Sequence, residues 1–217
     1  MKIISDRYKT IADLCRNKNV LDIGCIDHDL KNRRKSVWLH KLIRDCASNT
    51  LGLDYDAKNV EQLIHEGYNA ICADATNFDL GQIFDVVVAG ELIEHLVNPA
   101  GFLTCAKKHL APDGLLILTT PNAQGLMYCV QNMIFGHELE NPDHVCFYTP
   151  RTLARLLQKC GFEMIEAAYI IGMQPQGHDR IFFHLLALLK NIMKFPFYLI
   201  RPSLCHRFLA VAKPVQA

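Results

Sequence analysis

Five short apolar runs, each followed by a stretch with helical spacing, constrain the fold of this chain more than any other feature. The runs lie at residues 19–23, 50–53, 70–72, 84–89 and 115–119. Each is apolar enough to be covered on both faces, as strands of a parallel sheet are when crossover helices pack on either side. Helical patterns fill the gaps at 38–47, at 57–66 with Gly67 behind it, and at 98–110 with the turn Pro112-Asp113-Gly114 behind it. Glycine and proline end helices at such points, because glycine accepts a left-handed backbone and proline has no N–H to donate. Another helical stretch covers 124–135, and Thr149-Pro150 reads as the N-cap and first position of a helix over 151–160, stopped by Gly161. Two final runs, 164–171 and 208–212, read as closing strands. Seven strands with five leading βα units predict a doubly wound α/β sheet in a single domain. Ligands in such sheets sit at the carboxyl ends of the strands, here the loops after residues 23, 53, 72, 89 and 119.

Composition fits that class. Of 217 residues half are hydrophobic and 21% charged, which excludes a disordered or collagen-like chain. The 23 Lys and Arg nearly balance the 22 Asp and Glu, and this argues against a general nucleic-acid binder. Nine cysteines, an odd number without a CxxC pair, match neither a zinc site nor a secreted disulfide framework, so free thiols in a reducing cytosol are expected. The first fifteen residues have no apolar stretch long enough for a signal peptide. The most apolar stretch, 181–200, is interrupted by Lys190, Asn191, Lys194 and Pro196, so a soluble cytoplasmic protein is expected.

Three acidic residues stand where the predicted strands end. Asp22 precedes Gly24 in Val20-Leu21-Asp22-Ile23-Gly24-Cys25, where a glycine turn lets a ligand approach the backbone and the carboxylate can anchor an ammonium. Asp54 ends Gly52-Leu53-Asp54, a position from which a carboxylate can accept both hydroxyls of a ribose. Asp74, in Ala73-Asp74-Ala75, can accept the exocyclic amine of an adenine. Together they suit a ligand with an amine, a ribose and an adenine.

In this order, VLDIGC, GLDYD, CADATNFDL, FDVVVAGELIEHL, LLILTTPN and HVCFYTPRTLARLLQKCGFE resemble the class I S-adenosylmethionine-dependent methyltransferases, in the group with a Glu-His pair after the fourth strand. The resemblance covers roughly residues 7–171 and is carried by the order of the motifs, each of which is weak alone. It implies a Rossmann-like sheet of order 3-2-1-4-5-7-6 with the seventh strand antiparallel, and S-adenosylmethionine as cofactor. It also implies Asp22 and Gly24 at the methionyl end, Asp54 at the ribose, Tyr55 beside the adenine and Asp74 at its edge, with Cys25, Ala75 and Glu91 completing the cofactor set. One departure stands out. Ile26 and His28 occupy positions where the family carries glycines, so the loop must take another path, and a non-catalytic cofactor-binding protein remains an alternative.

Methyl transfer to a hydroxyl needs the acceptor positioned and its proton removed. The candidates are Glu91, Glu94 and His95 after the fourth strand, and His144 before the late helix. If 91–95 is helical, Glu91 shares a face with Glu94 (i+3) and His95 (i+4). Glu91, Glu94, His95 and His144 resemble the divalent-cation set of small-RNA 2′-O-methyltransferases and quinone-biosynthesis O-methyltransferases. A metal-free base or positioning role for His95 or His144, with Glu94 beside them, and a purely structural role are the alternatives. His137, Glu138, Glu140 and Asp143 are read as an exposed loop near the acceptor, and the basic run 31–35 as a solvated loop.

The charge balance hides a split. Residues 180–217 carry six basic and no acidic side chains, leaving 17 basic against 22 acidic in the remainder. Residues 180–206 read as a basic apolar insertion between the last two strands: a helical pair on the sheet or on a second subunit, or a segment facing anionic lipid. The expected activity is methyl transfer to a small or lipid-linked acceptor, such as a sugar or quinone-like phenol. RNA 2′-O-methylation is disfavoured by the acidic balance of 1–179, and a nicotinamide oxidoreductase by the lack of GxGxxG after the first strand.

Overall fold

A computed structural model describes residues 1–26, 37–136, 141–171, 198 and 200–215. The basic run 31–35, His28, His137, Glu138 and Glu140, and most of the 180–206 insertion lie outside the described residues.

One eight-stranded sheet organises the molecule. Its strands are β1 (Lys2–Ile4), β2 (Asn19–Ile23), β3 (Asn49–Asp54), β4 (Ala70–Cys72), β5 (Phe84–Gly90), β6 (Leu110–Pro121), β7 (Phe162–Ile170) and β8 (Arg207–Pro214). The order is β1-β7-β8-β6-β5-β2-β3-β4, with β8 antiparallel to both β6 and β7. Apart from β1 this is the expected order. Among the described residues the expectation of seven strands is corrected to eight. Residues 2–4 pair in parallel with Ala168–Ile170 at the sheet edge, and three residues are too short a run to show a period.

Both faces of the central strands are covered, as their unbroken apolar character requires. Leu21, Ile23, Val87, Ala89, Leu116 and Leu118 point to one face. There they meet Phe102, Leu103 and Ala106 of helix α4 (Pro99–Lys108) and Leu153 and Leu157 of helix α6 (Pro150–Lys159). The alternate residues Val20, Val86, Val88 and Ile117 meet Ile11 and Cys15 of helix α1 (Arg7–Cys15) and Ile43 of helix α2 (Leu39–Cys46) on the other. The strand period of two thus divides one run of sequence between two cores. Helix α3 (Ala57–His65) packs Val60 and Leu63 against Cys25, Ile26 and Trp38 at the β4 end of the sheet, and helix α5 (Leu126–Phe135) follows β6.

Helix starts follow the sequence signals. Thr149 and Thr152 form a reciprocal cap at α6, and Asn98 accepts the Gly101 N–H at α4. The turn expected at 112–114 falls inside β6, as an irregularity between the pairs Phe84↔Leu110 and Val86↔Leu115.

Candidate active site

The carboxyl ends of β2, β3 and β4 gather the first group of expected residues. Gly24 has φ +80°, which only glycine adopts at little cost, and its N–H donates to the Leu53 carbonyl at 2.8 Å, tying the β2 turn to β3. Asp54 is buried, and its two oxygens accept the Ile26 and Asp56 N–H groups, each at 3.1 Å. Burial raises its carboxyl, with these amides acting against that. Tyr55 follows it with 83% of its surface open, as a ring stacked on a planar ligand must have before the ligand binds. Asp74 accepts the Thr76 N–H and hydroxyl, both at 2.8 Å, and these hold it below the ordinary carboxylate range. Ala75 packs against the main core.

Two members of the cofactor set face inward. Asp22 Oδ2 lies 2.9 Å from His40 Nδ1 of α2, and both side chains are buried, so its ligand-anchoring role meets a protein partner first. The Cys25 thiol sits in the core and is pushed far up, by burial and then by Asp22. Its carbonyl accepts the Trp38 indole N–H at 2.8 Å, which accounts for Trp38 as the packed start of α2. What Cys25 offers a ligand is therefore backbone.

At the ends of β5 and β6 the geometry differs from the sequence expectation. Residues 91–95 are not one helix. Glu91 has φ +53°, and only Ile93–His95 form a 3-10 turn. Glu91 is held instead by two guanidinium groups. Arg7 Nη1 of α1 lies 3.0 Å from its Oε1, and Arg207 Nε at the start of β8 donates to its Oε2. Burial raises the Glu91 carboxyl, but the Arg207 and Arg7 charges outweigh it and hold the group below the ordinary value. Among the described residues, the group that could hold a cation is Glu94, His95 and His144, without Glu91.

Glu94, His95 and His144 do converge. One ligand atom from each lies within 4.8 Å of the others. The segment carrying His144 is fastened to this turn by the Val145 and Cys146 N–H groups, which donate to the Glu94 carbonyl at 2.9 and 3.1 Å. His95 Nδ1 lies 3.2 Å from the Asp143 carbonyl. A carbonyl only accepts, so Nδ1 carries the hydrogen, and a neutral ring in this orientation has its lone pair on Nε2. Glu94 is 1% exposed, its Oε2 accepts the Thr120 hydroxyl at 3.0 Å, and its Oε1 and the His144 Nδ1 are buried without a hydrogen bond. Burial, then the Glu91 charge, pushes the Glu94 carboxyl up to about 8. Such a group is protonated at neutral pH unless a cation joins it, so by itself it is no base there. Two unsatisfied buried ligand atoms beside an imidazole are a donor set that suits a divalent ion.

Arg7 and Arg207 had no sequence signal, being single residues outside the motifs, whereas Thr119 and Thr120 lie in the LLILTTPN motif without its naming their partners. Asn122, in the expected Thr119-Thr120-Pro121-Asn122 stretch, is fully buried and donates from Nδ2 to the Ser203 and Cys205 carbonyls, both at 2.8 Å. It thus joins the end of β6 to the segment that leads through His206 to Arg207 at the start of β8.

Residues 2–167 match the family described as methyltransferase domain. The chain belongs to this family, that of the S-adenosylmethionine-dependent methyltransferases. A ubiquinone biosynthesis O-methyltransferase of Burkholderia pseudomallei is 28% identical over 158 residues, which cover 69% of this chain and 66% of that one. A probable S-adenosylmethionine-dependent methyltransferase of Mycolicibacterium smegmatis is 28% identical over 166 residues, covering 72% and 56%. The chain thus spans less than two thirds of the length of these relatives. In fold it is similar to a S-adenosylmethionine-dependent methyltransferase of Mesorhizobium loti, with a TM-score of 0.60, 15% identity and 95% of each chain covered. The residues present fit the cofactor of the family: the buried Asp54 carboxylate at the β3 end, the open Tyr55 ring after it, and the left-handed Gly24 turn beside them.

Proposed function

We propose that this chain transfers the methyl group of S-adenosylmethionine to a hydroxyl of a small or lipid-linked acceptor, with a phenol as the first class to test. The observation that carries this reading is the convergence of Glu94, His95 and His144 at the ends of β5 and β6. The relatives named as O-methyltransferases support oxygen as the acceptor atom. Asp54 would hold the ribose hydroxyls, Tyr55 and Asp74 the adenine, and the Gly24–Cys25 backbone the methionyl end. When bound, the cofactor supplies an electrophilic methyl carbon. Displacement at that carbon is in line, so the protein's main contribution is alignment of the hydroxyl, worth ~7–11 kcal/mol when geometry is optimal. His144 or His95 Nε2 takes the hydroxyl proton, a contribution of roughly 10²–10⁴-fold. Glu94, His95 and His144 are also the residues that would hold a divalent cation, which would lower the pKa of the acceptor hydroxyl.

A lipid-linked acceptor has its own support. Helix α5 has no charged residue and leaves Met133, Ile134 and Phe135 exposed, and the sequence at 180–206 is basic and apolar. No described helix is long and apolar enough to cross a membrane, so contact would be peripheral. All nine cysteines are free, in keeping with a reducing compartment such as the cytosol.

Transfer of labelled methyl from S-adenosylmethionine to separated phenol, lipid, glycan and RNA fractions tests the reading, run with and without a chelator. Label in the phenol or lipid fraction is expected, and its loss on chelation assigns the cation. Label in none supports a binding-only protein.

A further inference from the structure

A row of five rings crosses the strand ends beside the candidate reacting groups. His95 and His144 stand edge to face with centroids 4.6 Å apart. Phe147 stands nearly perpendicular to His144 at 6.0 Å and to Tyr128 at 5.8 Å. Tyr128 in turn meets His206 at 4.9 Å. The row therefore runs from the two imidazoles to the residue that precedes Arg207.

Among these rings Phe147 is the most open, with 42% of its surface exposed, whereas Tyr128 is buried. An exposed phenylalanine is unremarkable by itself. This one is held from both sides. On one side the Val145 and Cys146 N–H groups are bonded to the Glu94 carbonyl, and on the other the Ala123 N–H donates to the Tyr148 carbonyl at 2.8 Å. Tyr148 is buried in the main core. The backbone that carries Phe147 is thus fastened to the residue bearing the candidate carboxylate and to the loop after β6. A ring fixed in advance adds affinity for a ligand with little ordering cost.

We propose that Phe147 is a specificity-determining residue of the acceptor pocket, an apolar wall that selects acceptors with a flat apolar body and presents their hydroxyl to His95 and His144. The assignment rests on the methyl-transfer reading above. Phe147 touches His144 directly and His144 touches His95, so a flat molecule lying against Phe147 brings a substituent on its edge to the imidazoles. Aromatic contacts of this kind change affinity by roughly 2- to 12-fold.

The test is calorimetric titration of the whole chain with catechol, and with glycerol as a non-planar hydroxyl probe, at saturating S-adenosylhomocysteine. Wild type, Phe147→Ala and Phe147→Tyr are compared. Phe147→Ala should weaken catechol binding roughly 3- to 10-fold, and Phe147→Tyr should restore it to within about twofold. S-adenosylhomocysteine affinity and melting temperature should be the same in all three. Equal catechol affinity in wild type and Phe147→Ala overturns the assignment and leaves methyl transfer standing, as does a wild type that binds glycerol as well as catechol or binds no catechol. A wild type that binds no S-adenosylhomocysteine overturns the methyl-transfer reading and this assignment with it.

Discussion

At the β2–β3–β4 end of the sheet the described strand-end carboxylates outside the Asp22–His40 pair are satisfied by backbone nearby: Asp74 by Thr76, and Asp54 by Asp56 and by Ile26 on the neighbouring strand turn. At the β5–β6–β8 end the partners come from the two extremes of the chain, Arg7 of α1 and Arg207 of β8, and both converge on Glu91. The first end is assembled from the turns of neighbouring strands. The second exists only when the whole sheet is formed, so charge there is tied to global stability. The comparison also separates surroundings: exposed or amide-held carboxylates stand at the first end, whereas an ion-paired Glu91 and a buried Glu94 stand at the second.

The largest expected effect breaks the reacting end alone. His144→Ala should lower methyl transfer by roughly 10²–10⁴-fold, since it removes one of two candidate bases and a member of the three-residue cluster. A rate within a few-fold of wild type in a labelled-methyl assay would return His144 to a structural role. Next, Glu91→Ala should destabilise the fold by ~3–5 kcal/mol in urea denaturation, because it leaves two largely buried guanidinium groups with no carboxylate between them. A loss below about 1 kcal/mol would mean that water reaches the pair and that this end is not held by long-range charge. Smaller again, Gly52→Ala should cost about 1–3 kcal/mol by overpacking. A methyl built there lies 2.8 Å from Cys25 Sγ and 2.9 Å from His40 Cε1, so the cofactor end is sensitive to volume and not to distant charge. Unchanged stability would show that Cys25 or His40 can move aside.

The same contrast explains what could be read in advance. Gly24, Asp54 and Asp74 could be placed at strand ends from the sequence because each stands at a turn or strand end marked by the residues around it. The central strands were legible because a continuous apolar run must be covered on both faces, and Val86 and Val88 do face the opposite core from Val87 and Ala89. β1 was not, since only three residues pair and their partners lie at Ala168–Ile170. Helical spacing misled at 91–95, where Glu91 takes a left-handed backbone after Gly90 and the i, i+3, i+4 geometry never forms. Arg7 and Arg207 have no pattern around them that names Glu91 as their partner, because ion pairs between distant residues leave no period in the sequence. The Phe147 row was equally hidden, as its rings come from four separate segments.

The central claim is that binding of the cofactor and handling of the acceptor belong to different ends of the same sheet. Calorimetric titration of S-adenosylhomocysteine into wild type, Asp54→Ala and His144→Ala tests it most directly. Loss of charged hydrogen bonds to the ribose should weaken binding in Asp54→Ala by roughly 10- to 100-fold. His144→Ala should bind within about twofold of wild type while its transfer activity is lost. Equal affinity in Asp54→Ala and wild type, or parallel loss of affinity in both variants, would contradict the division.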